Sequence, residues 1–474
     1  MSNTNHDSTG VEQHHKSQRK HVTLFSNRFT FILAAAASAI GLGNLWRFPS
    51  LAAKYGGGAF LLVYLLLVVT FGFTLMVAEI AIGRRTGKSA IDAFRSFGQR
   101  YAAIGVLTAL VPVIITPYYC VIGGWISKYL FTYLSGGGAA TADGGGFFSG
   151  FIATSGEPLG WTALFVVLVM LVVGLGVEKG IEKLNGVVMP MLLLFTIGIS
   201  IYALTIPGAL DGLAYYIIPH LSDISIATVV AAMGQMFFSL SLAMGIMITY
   251  GSYTSRDTDI EKSVRQIEIA DTALAFICGL MIIPAVFAFS GVEGARQAGP
   301  GLLFITLPQV FAQTGFATVL GAVFFFAVFF AALTSAISLA ETVVSFAMDR
   351  FGLSRRKAAL AVFVVILLLA IPPTLGFSDW GAATLTIGAA QMSILDVMDF
   401  ISNSVLMPLV ALLVCLFVGW WRGPDVVIDE VKATKSARFA SEGLFKVMIR
   451  WVAPLFLLII LISSILNGLG VVSI

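Results

Sequence analysis

Charge is scarce in this sequence. Of 474 residues only 11% are Asp, Glu, Lys or Arg, less than half the roughly 25% of an ordinary soluble domain. Hydrophobic residues make up 58%, and a mean hydropathy of +0.94 says the excess runs along the whole chain. That balance excludes a soluble globular enzyme and a disordered protein. A net charge of +3 leaves no basic surface for nucleic acid. Cysteine is rare as well: Cys120, Cys278 and Cys415 all lie in apolar runs, an odd set that argues against a disulfide framework. No paired carboxylates or His cluster stand at membrane depth, which speaks against an intramembrane hydrolase. A channel needs a continuous hydrophilic path, and the polar groups at depth are isolated ones.

What the chain has is long apolar runs. Read between polar breaks, they fall at about 29–53, 58–83, 102–133, 160–178, 185–206, 226–252, 264–291, 318–348, 357–375, 382–420 and 444–470. This predicts an all-α polytopic membrane protein with about 11 transmembrane helices, at roughly 20 residues per span. Residues 1–25 are polar and read as a disordered cytoplasmic tail; the first run is too long for a signal-peptide core, so no cleaved leader is expected. The glycine-rich stretch 135–150 reads as a flexible loop, and 293–315 as a structured loop too polar to span. Only Arg47, Lys54, Lys128 and Arg296 of the 28 basic residues fall outside when the N-terminus is inside. That asymmetry sets the N-terminus in the cytoplasm and the protein in the cell (inner or plasma) membrane.

Two runs carry interruptions. In the first, Gly41, Gly43 and Asn44 sit near mid-membrane. Each glycine lowers helix preference by about 1 kcal/mol relative to alanine. One reading is a small-residue packing face; the other is a helix broken at its middle, its freed carbonyls suited to a cation and its freed amides to an anion. In the sixth, Gln235, Ser239 and Ser241 interrupt an apolar span. The two runs hold corresponding places in two blocks of five, the pattern that points to a transporter site. Asp271 lies inside the seventh run, where a carboxylate calls for a cation, a proton or a route to the inner surface. Ala331, Thr334 and Ser335 set two hydroxyls and a carbonyl on one helical face, a hard-oxygen set. Arg47 and Asp399 are single charges at the outer ends of spans one and ten.

From about Phe25 to Gly470 the sequence resembles the neurotransmitter:sodium symporter family, in its bacterial amino-acid branch. The resemblance rests on Ala39-Ile-Gly-Leu-Gly-Asn-Leu-Trp-Arg-Phe-Pro49 with Gly56-Gly-Gly-Ala-Phe60, on Gly234-Gln-Met-Phe-Phe-Ser-Leu-Ser-Leu242 with Tyr250 and Tyr253, and on Ala331-Ala-Leu-Thr-Ser335. It implies two inverted five-helix repeats, 26–206 and 226–420, with helices 1 and 6 broken, followed at 421–474 by a cytoplasmic loop and an eleventh helix. It implies two sodium sites: Ala39, Asn44, Ser239 and Asp271 for the first, and Ala37, Ile40, Ala331, Thr334 and Ser335 for the second. The substrate carboxylate would meet the amides near Leu42 and Gly43 and the Tyr119 hydroxyl. Its amine would meet carbonyls of Ala39, Phe238 and Ser239 and the Ser241 hydroxyl. Its side chain would lie among Ser38, Ile115, Phe238, Met244 and Leu339. Arg47 with Asp399, and Tyr119 with Phe238, match an outer gate; Tyr253 and Asp349 match an inner one, with Lys20 the nearest basic residue before the first span. Gly180 and Pro190 bracket nine residues, like the family's Gly-X9-Pro hinge in the fifth span. Asp271 stands where animal members carry Asn, and Ala275 where they carry the chloride-binding Ser, so chloride independence is implied.

The function expected is sodium-coupled symport of a neutral, apolar L-amino acid by alternating access, with no enzymatic chemistry. Ala243 trims the pocket and Met244 repacks easily. The alternatives are symport of a small neutral amino acid, alanine or glycine, and an amino-acid sensor on the same scaffold that binds without transporting.

Overall fold

Asn27 starts the first helix in a reciprocal capping box: its side chain accepts the Thr30 amide at 3.0 Å while Thr30 Oγ1 accepts the Asn27 amide at 3.2 Å. Ser225 and Thr228 do the same for the sixth span at 3.1 and 3.2 Å. The two helices that begin this way are the two that break. The structure, a computed structural model, describes residues 25–143, 145–296, 301–387, 390–434 and 438–468. The expected tail, with Lys20, lies outside them except at Phe25.

Among the described residues nine helices are long and apolar enough to cross a membrane unbroken: Gly58–Thr86, Gln99–Leu134, Gly156–Leu175, Val177–Leu204, Ile260–Phe289, Ala317–Phe351, Arg355–Leu375, Ile394–Trp421 and Glu442–Leu466. Arg28–Ala39 and Gly43–Lys54 form a bent span with a 48° turn. Ile226–Ser239 and Ile246–Ser252 form the other broken one. Together these make the expected eleven.

The packing has the symmetry of a repeat. Span four packs on span eight, and span nine on span three; span five packs on seven and eight, and span ten on two and three. Adding five to each partner exchanges these pairs, and span three meets its own counterpart, span eight. An odd number of spans per block sends the second block through the membrane upside down, so the repeats are inverted. Spans one and six lie inside: Ala34, Ala35, Ala37, Ala232, Met233 and Met236 are fully buried there. Small side chains on these faces let the backbones approach closely. Span eleven lies at the periphery, with Leu455, Leu458 and Ile462 exposed.

Two sequence expectations are corrected. The tenth span begins at Ile394 rather than 382, because Leu385–Ile387 and Ala390–Met392 pair as an antiparallel hairpin (Leu385 opposite Met392) and Ser393 then caps the helix. Apolar content alone does not separate a short strand from a helix start. The stretch 135–150 holds a 3-10 turn at Gly138–Ala142 and a helix at Gly146–Ile152, which buries Phe148 against Trp125 and Phe304. Those aromatic contacts are distant in sequence and invisible to a glycine count.

Candidate functional site

At Ile40 the backbone leaves the helix (φ −78, ψ 89) and resumes in a wide π turn at Gly43–Arg47. A helix end leaves carbonyls and amides without partners, and side chains of three other spans supply some of them. The Ser38 carbonyl accepts the Ser335 hydroxyl at 2.9 Å and the Ser241 hydroxyl at 3.2 Å. The Leu42 amide donates to the Tyr119 hydroxyl at 3.2 Å, and the Gly43 carbonyl accepts Gln235 Nε2 at 2.9 Å. Gly41 has to be glycine: a methyl group there would lie 2.1 Å from Ser335 Oγ.

The sixth span breaks in a different way. Ser241 and Ala243 both have positive φ, 54° and 61°, and Gly245 follows at 75°. Left-handed backbone is unusual for residues with a Cβ and is strained by about 1–3 kcal/mol each. Glu79, fully buried in span two, holds this segment by accepting the Ala243 amide at 2.8 Å; its other oxygen has no partner among the described residues.

Between the breaks is a cluster of hard oxygens. The Ser239 hydroxyl is 3.0 Å from Asn44 Oδ1 and 3.0 and 2.9 Å from the two Asp271 oxygens. Asn44 Nδ2 donates to Asp271 Oδ1 at 2.8 Å, and the Tyr64 hydroxyl to Oδ2 at 3.3 Å. All four residues are fully buried. Three of the four residues expected at the first sodium site, Asn44, Ser239 and Asp271, thus meet through their side chains, while Ala39 lines the adjoining pocket. In the second set, Thr334 Oγ1 donates to the Ala331 carbonyl at 3.1 Å, and Ser335 reaches the Ser38 carbonyl rather than those of Ala37 or Ile40.

A cavity of about 20 Å³ adjoins the first break, lined by Ser38, Ala39, Gly43, Ile115, Tyr119, Phe238, Ser241, Met244 and Leu339 among others. These are nine of the eleven residues expected to bind substrate; Leu42 meets Tyr119 through its amide, and Ser239 belongs to the oxygen cluster. The Ser38 and Ser241 hydroxyls are 3.2 Å apart. At that volume the cavity has room for about one water-sized group, less than an amino acid needs.

The gate residues meet other partners than each other. Arg47 lies over the Phe238 ring at 5.1 Å, while Asp399 accepts the Tyr118 hydroxyl at 3.1 Å and a hydrogen bond from Asn403; the two charges form no ion pair in this structure. On the inner side Asp349 accepts the Ser89 amide at 2.7 Å. Tyr253 donates to Glu341 at 2.8 Å, and Arg355 grips both Glu341 oxygens at 2.6 and 2.8 Å. The fifth span opens with a π turn at Val177–Glu182, and Pro190 sits within the continuous helix Lys183–Leu204. Glu182 accepts the Ser26 amide and hydroxyl, both at 2.7 Å, which ties the start of the first span to this turn.

Sequence reading missed Glu79, Glu341, Tyr64 and Glu182. Each acid is a charged residue within or beside an apolar run, and that scarcity was the available signal for a functional role.

Two broken helices crossing at a buried polar pocket, within inverted repeats, define a secondary transporter core. The model of the Sodium:neurotransmitter symporter family matches residues 23–137 and 149–470, and the chain belongs to that family. It is 34% identical over 453 residues to the sodium-dependent transporter YhdH of Bacillus subtilis, covering 95% of this chain and 98% of YhdH. The solved structure of MhsT in complex with L-phenylalanine superposes with a TM-score of 0.85 at 39% identity, covering 93% of this chain and 99% of MhsT. The sodium- and chloride-dependent GABA transporter 2 of Bos taurus is 27% identical over 380 residues, 70% of this chain and 63% of that protein.

Proposed function

We propose that the chain is a sodium-coupled symporter that imports neutral, hydrophobic L-amino acids by alternating access, with two sodium ions and without chloride. The observation that carries the reading is the Asn44–Ser239–Asp271 oxygen cluster, buried between two helix breaks beside an otherwise uncharged pocket. Hard oxygens with one negative charge suit a small monovalent cation. A carboxylate fixed at 271 beside Ala275 supplies the negative charge that a bound chloride would otherwise bring. The pocket's Ile115, Phe238, Met244 and Leu339 favour an apolar side chain, and L-phenylalanine bound to MhsT supports an aromatic one. The second reading is a small amino acid such as alanine or glycine, which the same uncharged lining would also accept. The basic inner loops favour a cytoplasmic N-terminus in the cell membrane.

The test is uptake of each of the twenty amino acids into proteoliposomes under an inward sodium gradient. Uptake of hydrophobic amino acids is expected in sodium chloride and unchanged in sodium gluconate. Equal uptake in potassium-only buffer would end the symporter reading, and a stall in gluconate would end chloride independence. Binding without counterflow would identify a sensor.

A further inference from the structure

Three separate segments of the chain meet on one side of the molecule. After spans two and ten the chain is back on the side of its N-terminus. The segment 95–101 before span three, the end of span ten at Trp421 and the start of span eleven at Glu442 therefore share that side. A buried ring, Tyr101, draws them together. The Arg100 guanidinium lies over it at 4.7 Å and the Arg422 guanidinium at 5.8 Å, and Trp421 stacks on it at 6.1 Å. Arg422 also donates to the Phe97 carbonyl at 2.7 Å. Arg450 closes the same end of span ten: its Nε donates to the Gly419 carbonyl at 3.1 Å, and Trp420 Nε1 donates to the Arg450 carbonyl at 2.9 Å.

Arg100, Arg422 and Arg450 are all exposed, and among the described residues none meets a carboxylate. The acids paired on this side are taken by other cations: Glu430 by Arg84, and Glu442 by Lys432 and Lys446. Asp425, three residues past Arg422, forms no ion pair with any of the three. Cations gathered around one ring repel one another, and a bound anion relieves that. The surroundings say which anion. Trp420, Trp421 and Trp451 are 52%, 48% and 62% exposed, with Trp420 edge-on to Trp451 at 4.7 Å. Tryptophans at span ends mark the level of the lipid head groups. Further into the membrane Val106 and Leu110 of span three and Leu455 of span eleven are exposed, so an apolar surface continues from the arginines into hydrocarbon.

We propose that this patch binds an anionic phospholipid of the leaflet on the N-terminal side. Arg100, Arg422 and Arg450 hold the phosphate oxygens, and the tryptophans and the apolar surface beyond them take the glycerol and acyl chains. Guanidinium groups match phosphate geometry with paired donors. Basic pockets between span ends are suited to such head groups. A zwitterionic lipid would add its own cation to three that are already unpaired. A soluble phosphate would use the arginines and leave the apolar surface unused. The binding stands apart from the sodium and amino-acid assignments.

The test titrates dioleoyl phosphatidylglycerol into the full chain in dodecyl maltoside and counts bound lipids by native mass spectrometry. Wild type should bind it saturably, about tenfold or more tightly than dioleoyl phosphatidylcholine, and glycerol 3-phosphate should not displace it. Arg100→Gln, Arg422→Gln and Arg450→Gln together should weaken binding about tenfold or more. Arg100→Gln alone, whose side chain bonds only the adjacent Tyr101, guards against a folding defect and should weaken it about fivefold. Arg350→Gln, Arg356→Gln and Lys357→Gln together remove the same charge around the loop between spans eight and nine, on the same side, and should leave binding unchanged. Thermal melting checks that each variant folds. Wild-type affinity in the variants at 100, 422 and 450, an equal loss in the variant at 350, 356 and 357, equally tight phosphatidylcholine, or displacement by glycerol 3-phosphate would overturn the proposal.

Discussion

Asp271→Asn removes the formal charge of the oxygen cluster while leaving its shape. The carboxylate accepts from Asn44 and Ser239 on Oδ1, and from Ser239 and Tyr64 on Oδ2. Coulomb's law at an effective dielectric near 20 gives about 5 kcal/mol for a unit charge about 3 Å from a sodium ion. An amide keeps one acceptor oxygen and its dipole, so about half of that is lost. A net loss of about 2–3 kcal/mol corresponds to a roughly 30- to 150-fold rise in half-saturating sodium. The amide also presents two donors to a site whose neighbours, Tyr64 and Ser239, already donate, so the direction is reinforced. The assay is equilibrium binding of labelled L-phenylalanine, or of whichever amino acid the uptake screen selects, titrated with sodium at constant ionic strength. A half-saturating sodium within about threefold of wild type, about 0.6 kcal/mol, in a variant with an unchanged melting temperature, would refute the assignment of Asp271 to sodium.

Three further changes probe other parts of the site. Ala243→Gly relieves a left-handed Cβ position and should raise stability by about 1 kcal/mol, read as a higher melting temperature; Ala243 is not among the residues that line the pocket, so the expectation that its methyl group trims the pocket is not carried over. Thr334→Ala with Ser335→Ala should abolish sodium-driven uptake by removing the second oxygen set; retained sodium affinity and transport would reassign it. Glu341→Gln breaks the buried grip of Arg355 and should loosen the closed inner end by about 2–4 kcal/mol. A cysteine placed at the buried Asn185 should then label faster from the cytoplasmic side, and unchanged labelling would remove Glu341 from the gate.

Much of this was legible because the membrane makes polarity expensive. Gly41, Asn44, Ser239, Ser241 and Asp271 stood out as polar or flexible residues in apolar runs, and the structure brings them together at the crossing of two helices. The backbone part was less legible. Nothing in the sequence marks Ser241 and Ala243 as left-handed, because both are held there by contacts from other spans, Ser38 and Glu79 among them. The gates were half legible. The charges at 47 and 399 were found by position, and Asn403 is a local partner of Asp399 one helical turn on, but the partners Phe238 and Tyr118 depend on how spans one, three, six and ten lean together. The hairpin before the tenth span was misread because a short strand of Leu, Thr and Ile looks like the beginning of an apolar helix.

The contacts around Ser26 show how an unwinding of the fifth span would reach the site. Glu182 closes the π turn that opens the fifth span, and the same carboxylate holds Ser26 and lies 3.2 Å from the Thr30 hydroxyl. Arg28, between those residues, reaches Ser263 and Gln266 on span seven. Phe25 packs on Tyr250 and Tyr253, and its amide donates to the Tyr253 carbonyl. The N-terminal half of the first span is therefore fastened at three places: to the fifth span, the seventh and the end of the sixth. Unwinding between Gly180 and Pro190 would carry Glu182 away and release the first fastening without touching the other two. The half-helix loosened in that way ends at Ser38 and Ala39, which also border the pocket, and its Ser38 carbonyl is bound by Ser335. A disturbance of the fifth span would thus reach a helix end that serves both expected oxygen sets, Ala39 of the first and Ala37 and Ile40 of the second, and that Ser335 and Ser241 bind through the Ser38 carbonyl.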